Sequence, residues 1–264
     1  MRKVHILTVL IIFLMMVPSI AFGLDINYPD FSDLSDFTLG ANAQALNTSA
    51  DDILQLSSGT WQRTGYAILT DPVTLGESYS TNFSFQITNN IAGGADWFVF
   101  NIQTGCDLCS GNAVSVEFDI FNNGSRDNYS GNHIGINENH NFESAVTQHI
   151  TPDFNNGAIW KAWIDSDGSF MDVYASTSDI KPTNPYISYG IDVLDILGTS
   201  EVYMGFHAAS GAYGADFDIL SWSFNSPDHD SDPDPVPEPA TILLLGSGLI
   251  GLVGFKKKFR SKRT

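Results

Sequence analysis

The chain has 264 residues, 43% of them hydrophobic, and thirty carboxylates against twelve Lys and Arg give it a formal net charge of −18. Residues 24–239 hold every carboxylate but only Arg63, Arg126, Lys161 and Lys181 as basic residues, a local balance of −26. Such a surface repels nucleic acid and anionic lipid, so a phosphate backbone is excluded as a partner and neutral ligands and cations become the natural ones.

Arg2 and Lys3 precede an apolar run over 6–20, and Ala21-Phe22-Gly23 supplies small residues for a peptidase, so residues 1–23 read as a secretory signal peptide. The next two hundred residues suffice for one large β-domain over 24–225. Short alternating runs at 80–87, 95–102, 114–121, 158–165, 170–175, 201–208 and 218–224 read as strands, separated by Gly, Asn, Asp and Pro. No stretch of the domain keeps a helical period for three turns; residues 193–197 offer one turn at most. The expected fold class is all-β, an antiparallel β-sandwich.

Cys106 and Cys109 are the only cysteines and sit in a Gly-flanked loop of an exported chain, so they are expected to form a local disulfide. The segment 164–170 contains Asp165-Ser166-Asp167-Gly168. It reads as a hairpin centre, because the acidic spacing, terminal Glu and flanking helices of a calcium loop are missing. Residues 226–239 form an Asp/Pro-rich linker ending in Val236-Pro237-Glu238-Pro239. Residues 240–255 are apolar and uncharged, and 256–264 form a basic tail, which together read as a transmembrane helix with its basic end in the cytoplasm. At sixteen residues it is shorter than the roughly 20 a relaxed span needs, hence either a marginal anchor or a transient stop before processing.

The chemistry concentrates between 114 and 136. Strand alternation places Val114, Val116, Phe118 and Ile120 on the core face and Glu117, Asp119 and Phe121 on the other. Adjacent carboxylates repel unless a cation lies between them. If the loop 122–128 folds back, Asp127 and His133 join the pair. Carboxylates with an imidazole suit a transition ion such as Mn2+, and an all-oxygen set with an Asn amide and a backbone carbonyl suits Ca2+. An ordinary polar strand face, with His133 solvated or paired to a carboxylate, has the same spacing.

The strand Val114-Ser115-Val116-Glu117-Phe118-Asp119-Ile120-Phe121, with Asn123, Asp127 and then His133-Ile134-Gly135-Ile136, resembles the signature of the legume-type (L-type) lectins. Further blocks in family order extend the likeness over some 190 residues, among them 37–43, 79–87, 202–211 and 217–224. The resemblance implies a concanavalin A-like jelly roll. It implies that Glu117 and His133 bind manganese, that Asp119 and Asp127 bridge both ions, and that the Phe121 carbonyl and Asn123 side chain serve calcium. It also implies a cis peptide between Ala95 and Asp96, sugar hydroxyls donating to Asp96, Asn123 donating to the sugar, and the Phe121 ring under an apolar sugar face.

Three positions depart from the family pattern. Trp97 replaces a usual Gly and either narrows the pocket or stacks on a ligand, and Phe217 replaces a frequent His. The 106–109 loop replaces a glycine-rich loop that gives a backbone donor, leaving Gly105 or Gly111 as candidates. Ala212 and Tyr213 fall in the loop that selects the sugar in relatives. The tail 236–264 resembles the bacterial PEP-type sorting signal, whose partner is an exosortase-type protease. The implied function is metal-dependent carbohydrate binding at a cell surface or in exopolysaccharide, and a homo-oligomer is compatible with it. The alternatives are a structural matrix protein and a laminarinase-like glycoside hydrolase. The hydrolase motif Glu-x-Asp-x-x-Glu meets Asn122 at its last place, so one of the two acids a retaining mechanism needs is missing and no enzyme is expected.

Overall fold

The computed structural model describes residues 23–48, 52–107, 110–211 and 213–227; nearly all of the expected signal peptide and linker, and the whole apolar segment and basic tail, lie outside them. The described chain forms two antiparallel sheets. The first contains β1 (Leu24–Tyr28), β3 (Gln44–Asn47), β4 (Asp52–Ser57), β7 (Tyr79–Ile91), β12 (Ile159–Ser166), β13 (Phe170–Ser176), β14 (Ile187–Gly190) and β16 (Gly214–Ser226). Its order is β14-β13-β12-β7-β16-β4-β3, with β1 also paired to β16. The second contains β2 (Phe37–Ala41), β5 (Thr64–Leu69), β6 (Val73–Thr74), β8 (Trp97–Gln103), β9 (Ala113–Asp119), β10 (His133–Glu138), β11 (Val146–His149) and β15 (Glu201–Ala209). It runs β11-β10-β9-β8-β15-β5-β2, with β6 paired to β15.

Inward-facing residues of both sheets make one aromatic core. Phe83 and Phe85 of β7 meet Phe98 of β8 and Phe118 of β9, and Phe98 stacks on Phe118 with centroids 4.9 Å apart. Each such ring removes some 150–250 Å² from water, which makes this layer the main cohesive element between the sheets. Val114, Val116, Phe118 and Ile120 all belong to it.

Strand ends differ from the alternation-based reading for local reasons. β9 stops at Asp119 rather than 121, because the Asp119 carboxylate accepts a hydrogen bond from the Phe121 amide at 2.6 Å and turns the chain out of the ladder. β16 starts at Gly214, four residues before the alternation begins, since register shifts at Gly214/Asp216 and Ile219/Ser221 break the period of two. Short strands such as β11 and β14 have too few residues to show a period. Residues 193–197 form a single helical turn, α1 (Val193–Leu197), capped by Asp192 accepting from the Asp195 amide. The 164–170 segment is the β12–β13 hairpin.

One expectation is corrected. Among the described residues no helix is long and apolar enough to cross a membrane, so no transmembrane helix is assigned; residues 240–255 lie outside the described residues. Cys106 is exposed, and Cys109, its expected disulfide partner, lies outside the described residues. Hydrogen bonds organise the described part of this turn. The Gln103 amide donates to the carbonyls of Gly105 and Asp107, at 2.8 and 2.7 Å, and the Ser110 hydroxyl donates to the Asp107 carbonyl.

Candidate metal centre and adjoining pocket

Register builds the site. Asp119 lies opposite Trp97 on β8 and His133 on β10, and Glu117 lies opposite Val99 and Gly135. One row across three strands thus presents Trp97, Asp119 and His133 on the outer face. Glu117 and Asp119 are buried although they point away from the core, at 7% and 1% exposure, because loops fold over this face. After Phe121 the chain doubles back through the 3-10 turn Gly124–Asp127, which buries Asp127, and the Asn123 amide donates to its carboxylate. Asn128 and Tyr129, with φ of 50° and 60°, complete the reversal.

Ligand atoms of Glu117, Asp119 and His133 all lie within 4.8 Å of one another. His133 is fully buried, and neither ring nitrogen has a hydrogen-bond partner. Burial, helped by nearby His149, pushes its imidazole down to about 4, so it is neutral and able to ligate at pH 7. Desolvation drives the Glu117 carboxyl up to about 7 against the hydrogen bonds from Asn137 and Ser144. Desolvation and the Glu117 charge push Asp119 up to about 9, against the Phe121 amide. Asp127 is also raised by desolvation, with the Asn123 amide and then Arg126 opposing. Carboxylates whose ionised forms are so disfavoured, beside an orphaned neutral imidazole, fit a bound cation.

Asp96 joins this cluster through β8. The Ala95–Asp96 peptide is cis, the Asp96 amide donates to the Ala209 carbonyl at 3.1 Å, and the Ile120 amide donates to the Asp96 carbonyl at 3.0 Å. Its carboxyl is raised by desolvation and the Asp127 charge. A Cβ at Gly211 would stand 2.9 Å from Asp96 Oδ2, so only glycine leaves this oxygen clear. Asp96, Asp119, Asn123 and Asp127 line one cavity of about 190 Å³, with Trp97 and Phe142 at its wall. Phe121 packs against Tyr213, centroids 5.5 Å apart, and Tyr213 is 37% exposed. Ala212 lies outside the described residues.

Gly105 and Gly111 are not brought to this pocket. They sit in the β8–β9 turn, six residues of ladder from Asp119, about 20 Å at strand rise. The short hairpin points away, so neither glycine amide reaches Asp96.

Sequence reading missed Asn137, Ser144, Phe142 and His207. Asn137 and the Ser144 hydroxyl donate to Glu117 Oε2 at 3.2 and 3.1 Å, and a Cβ at Gly135 would collide with Ser144 Oγ, which is why the row requires glycine there. Asn137 was legible, since it shares the outward parity of His133 and Gly135. Ser144 and Phe142 come from a loop with no period to read. Asn122, at the place of the missing acid, is spent on the turn, accepting from the Gly124 amide and donating to the Tyr129 carbonyl.

Residues 23–239 match the legume lectin domain family, and residues 235–258 match the PEP-CTERM protein-sorting motif. A lectin of Bauhinia forficata is 28% identical over 77% of this chain and 96% of its own length. The structure of the lectin from Bauhinia forficata in complex with GalNAc superimposes with a TM-score of 0.63 at 25% identity, covering 78% of this chain and 99% of that one. The L-type lectin-domain containing receptor kinase VII.1 of Arabidopsis thaliana is 27% identical over 74% of this chain, which spans about a third of that kinase. The match to a non-catalytic domain family leaves the hydrolase alternative without support, and the sorting motif spans the apolar segment 240–255. With its two-sheet jelly roll and family match over 23–239, the chain belongs to the legume lectin domain family and carries a C-terminal PEP-CTERM sorting motif.

Proposed function

We propose that the domain over 24–225 binds a neutral sugar with the help of two cations, calcium and a transition ion such as manganese, after export to a bacterial surface or exopolysaccharide matrix. The observation that carries this reading is His133, buried and unpartnered at both nitrogens beside Glu117 and Asp119. Glu117, Asp119, Asp127 and His133 would hold the transition ion; Asp119, Asp127, Asn123 and the Phe121 carbonyl would hold calcium. The cations supply the positive charge that keeps these carboxylates ionised. Asp96 then accepts from sugar hydroxyls, the Asn123 amide donates, and the Phe121 ring beside Tyr213 lies under an apolar sugar face. Trp97 borders the same pocket. In this reading the chain divides into signal peptide 1–23, lectin domain, linker 226–239, apolar sorting segment 240–255 and basic tail 256–264; the sorting motif over 235–258 supports the C-terminal part and an exosortase-type protease as partner.

A glycan array run with calcium and manganese and repeated with chelator tests this. Chelator-sensitive binding is expected, and metal analysis of protein purified without chelator should find both ions. Absence of metal, with no thermal shift on adding either ion, sinks the reading. A second reading, a structural matrix component without sugar binding, draws on Trp97 at the pocket wall and the distance of Gly105 and Gly111 from it. Bound metal with an empty array would favour it.

A further inference from the structure

Residues 24–239 contain four basic side chains, and three of them are engaged within the fold. Arg63 donates from Nε to the Thr60 hydroxyl at 2.7 Å, and Lys161 lies 5.9 Å from the centre of the Trp163 ring. Lys181 pairs with Asp165 and stands 4.2 Å from the centre of the Tyr174 ring. Arg126 is the exception. Its side chain makes no hydrogen bond, ion pair or ring contact with any described residue, although it lines the same cavity as Asp96, Glu117, Asp119 and Asp127.

The turn Gly124–Asp127 separates the two kinds of charge. Asp127 is buried, with its carboxylate taken by the Asn123 amide, whereas Arg126 is exposed at the rim and acts on Asp127 only through its charge. A Cβ at Gly124 would have nothing within 4 Å, so this side of the turn is uncovered. Two divalent ions would balance the four carboxylates, and without ions desolvation raises all four toward their neutral forms. In either state the Arg126 charge is the one left over. More distant acids of the domain do not decide this, because charges beyond roughly 10 Å are largely screened at ordinary ionic strength.

A guanidinium carries its N–H donors in a planar fork, and none of them is used here. A carboxylate or ester sulfate meets that fork with two parallel bonds, whereas a hydroxyl meets a single donor and leaves the charge unanswered. Asp96 immediately precedes β8 and Arg126 lies in the turn after β9, so opposite charges border one cavity from different elements. A ligand that answers both needs hydroxyls for the first and an acidic group for the second. We infer that the pocket selects an acidic sugar, a ring whose hydroxyls donate to Asp96 and whose carboxylate or ester sulfate is clamped by Arg126. The inference rests on the sugar-binding reading above and adds one acidic substituent to the neutral ring bound there.

Calorimetry on the full domain loaded with calcium and manganese tests it. The probes are methyl glycosides of glucose, galactose and mannose, each set against its uronic acid and its 6-sulfate. One acidic member is expected to bind about tenfold or more tightly than its neutral parent, the size of one charge-assisted contact. Arg126→Gln should bring that member to the affinity of its neutral parent, and Arg126→Lys, which keeps the charge without the fork, should retain part of the gain. Metal content and melting temperature of both sugar-free variants should match the parent protein, since Arg126 holds nothing in the fold. Acidic members that bind no more tightly than neutral ones overturn the inference and leave the sugar-binding reading intact. A gain untouched by Arg126→Gln, as direct ligation of the acid to an ion would give, does the same. Failure of every saccharide, neutral or acidic, to bind the metal-loaded protein overturns both.

Discussion

Two groups of carboxylates on this molecule look alike in sequence and behave oppositely in structure. Glu117, Asp119 and Asp127 are buried, raised by desolvation, and face the unpartnered imidazole of His133. At the β12–β13 turn, Asp167, Asp192, Asp195 and Glu77 surround a larger cavity of about 510 Å³. There Asp167 Oδ1 accepts from the Ser169 and Phe170 amides, at 2.9 and 2.7 Å, which holds its carboxyl below the usual range, and Asp192 caps α1. Acid density alone therefore does not make a cation site. Exposed carboxylates bonded by their own backbone keep their charge without an ion, whereas desolvated ones beside an orphaned imidazole fit a bound cation.

The strongest way to break this contrast is Asp119→Ala. Asp119 is proposed to touch both ions, so its loss should remove both from the purified protein and abolish sugar binding. Chelating the parent should produce the same metal-free state. At ion concentrations near a hundred times Kd the bound ion contributes about 2.7 kcal/mol, or roughly 5–10 °C in melting temperature for a domain of this size. Asp119→Ala protein that retains both ions and binds sugar like the parent would overturn the site.

Asp96→Ala should separate ligand contact from metal contact. Its carboxylate borders the cavity and is proposed to face the sugar rather than an ion, so metal content should stay at the parental value. Sugar affinity should fall by about 10- to 100-fold, as one or two charge-assisted hydrogen bonds are lost. Titration calorimetry paired with metal analysis reads both quantities. Unchanged affinity would place the pocket elsewhere on the face.

Much of this arrangement was legible because a strand has a period of two. Alternation across 114–121 put Val114, Val116 and Phe118 inward and Glu117 and Asp119 outward, and that is how β9 lies. Alternation could not say that the outward face is covered, since burial of Glu117 depends on Ser144 and Phe142 from a loop with no period. It also overran the end of β9, because the bond from the Phe121 amide to Asp119 is a side-chain event. The turn after β8 was also beyond alternation, because it is closed by Gln103, a strand residue whose amide reaches the Gly105 and Asp107 carbonyls.

Asp218 offers an intermediate case. It is buried at 8% exposure with the Gln55 amide at 3.1 Å as its partner, and desolvation, with Asp216 adding, pushes its carboxyl up to about 6. A folded-state value above the unfolded one means that ionisation costs stability. The cost is absent below about pH 4, grows as pH rises through 6, and is complete above that. Asp218→Asn should therefore stabilise the protein by about 1–2 kcal/mol at pH 8, with the difference vanishing toward pH 4. Paired thermal melts across that range read it, and a pH-independent difference would mean that the carboxylate is not the cause.

The smallest effect is expected where the backbone already satisfies the acid. Asp167→Ala removes two amide hydrogen bonds from an exposed turn, so the melting temperature should fall by less than chelation lowers it, with metal content and sugar affinity unchanged. Because the folded state holds this carboxyl below its unfolded value, its contribution is present above about pH 4 and is lost as pH falls further. The variant and parent should thus converge under acid, the opposite pH sense from Asp218→Asn only in sign, since one variant loses a favourable ionisation and the other an unfavourable one. The decisive reading is the chelator response. If Asp167→Ala melts with the same chelator-induced drop as the parent, the turn carboxylates are independent of ions. A reduced drop would mean that an ion also sits at the Glu77, Asp167 and Asp192 cavity, and that hydrogen bonds from the backbone do not distinguish the two acidic groups.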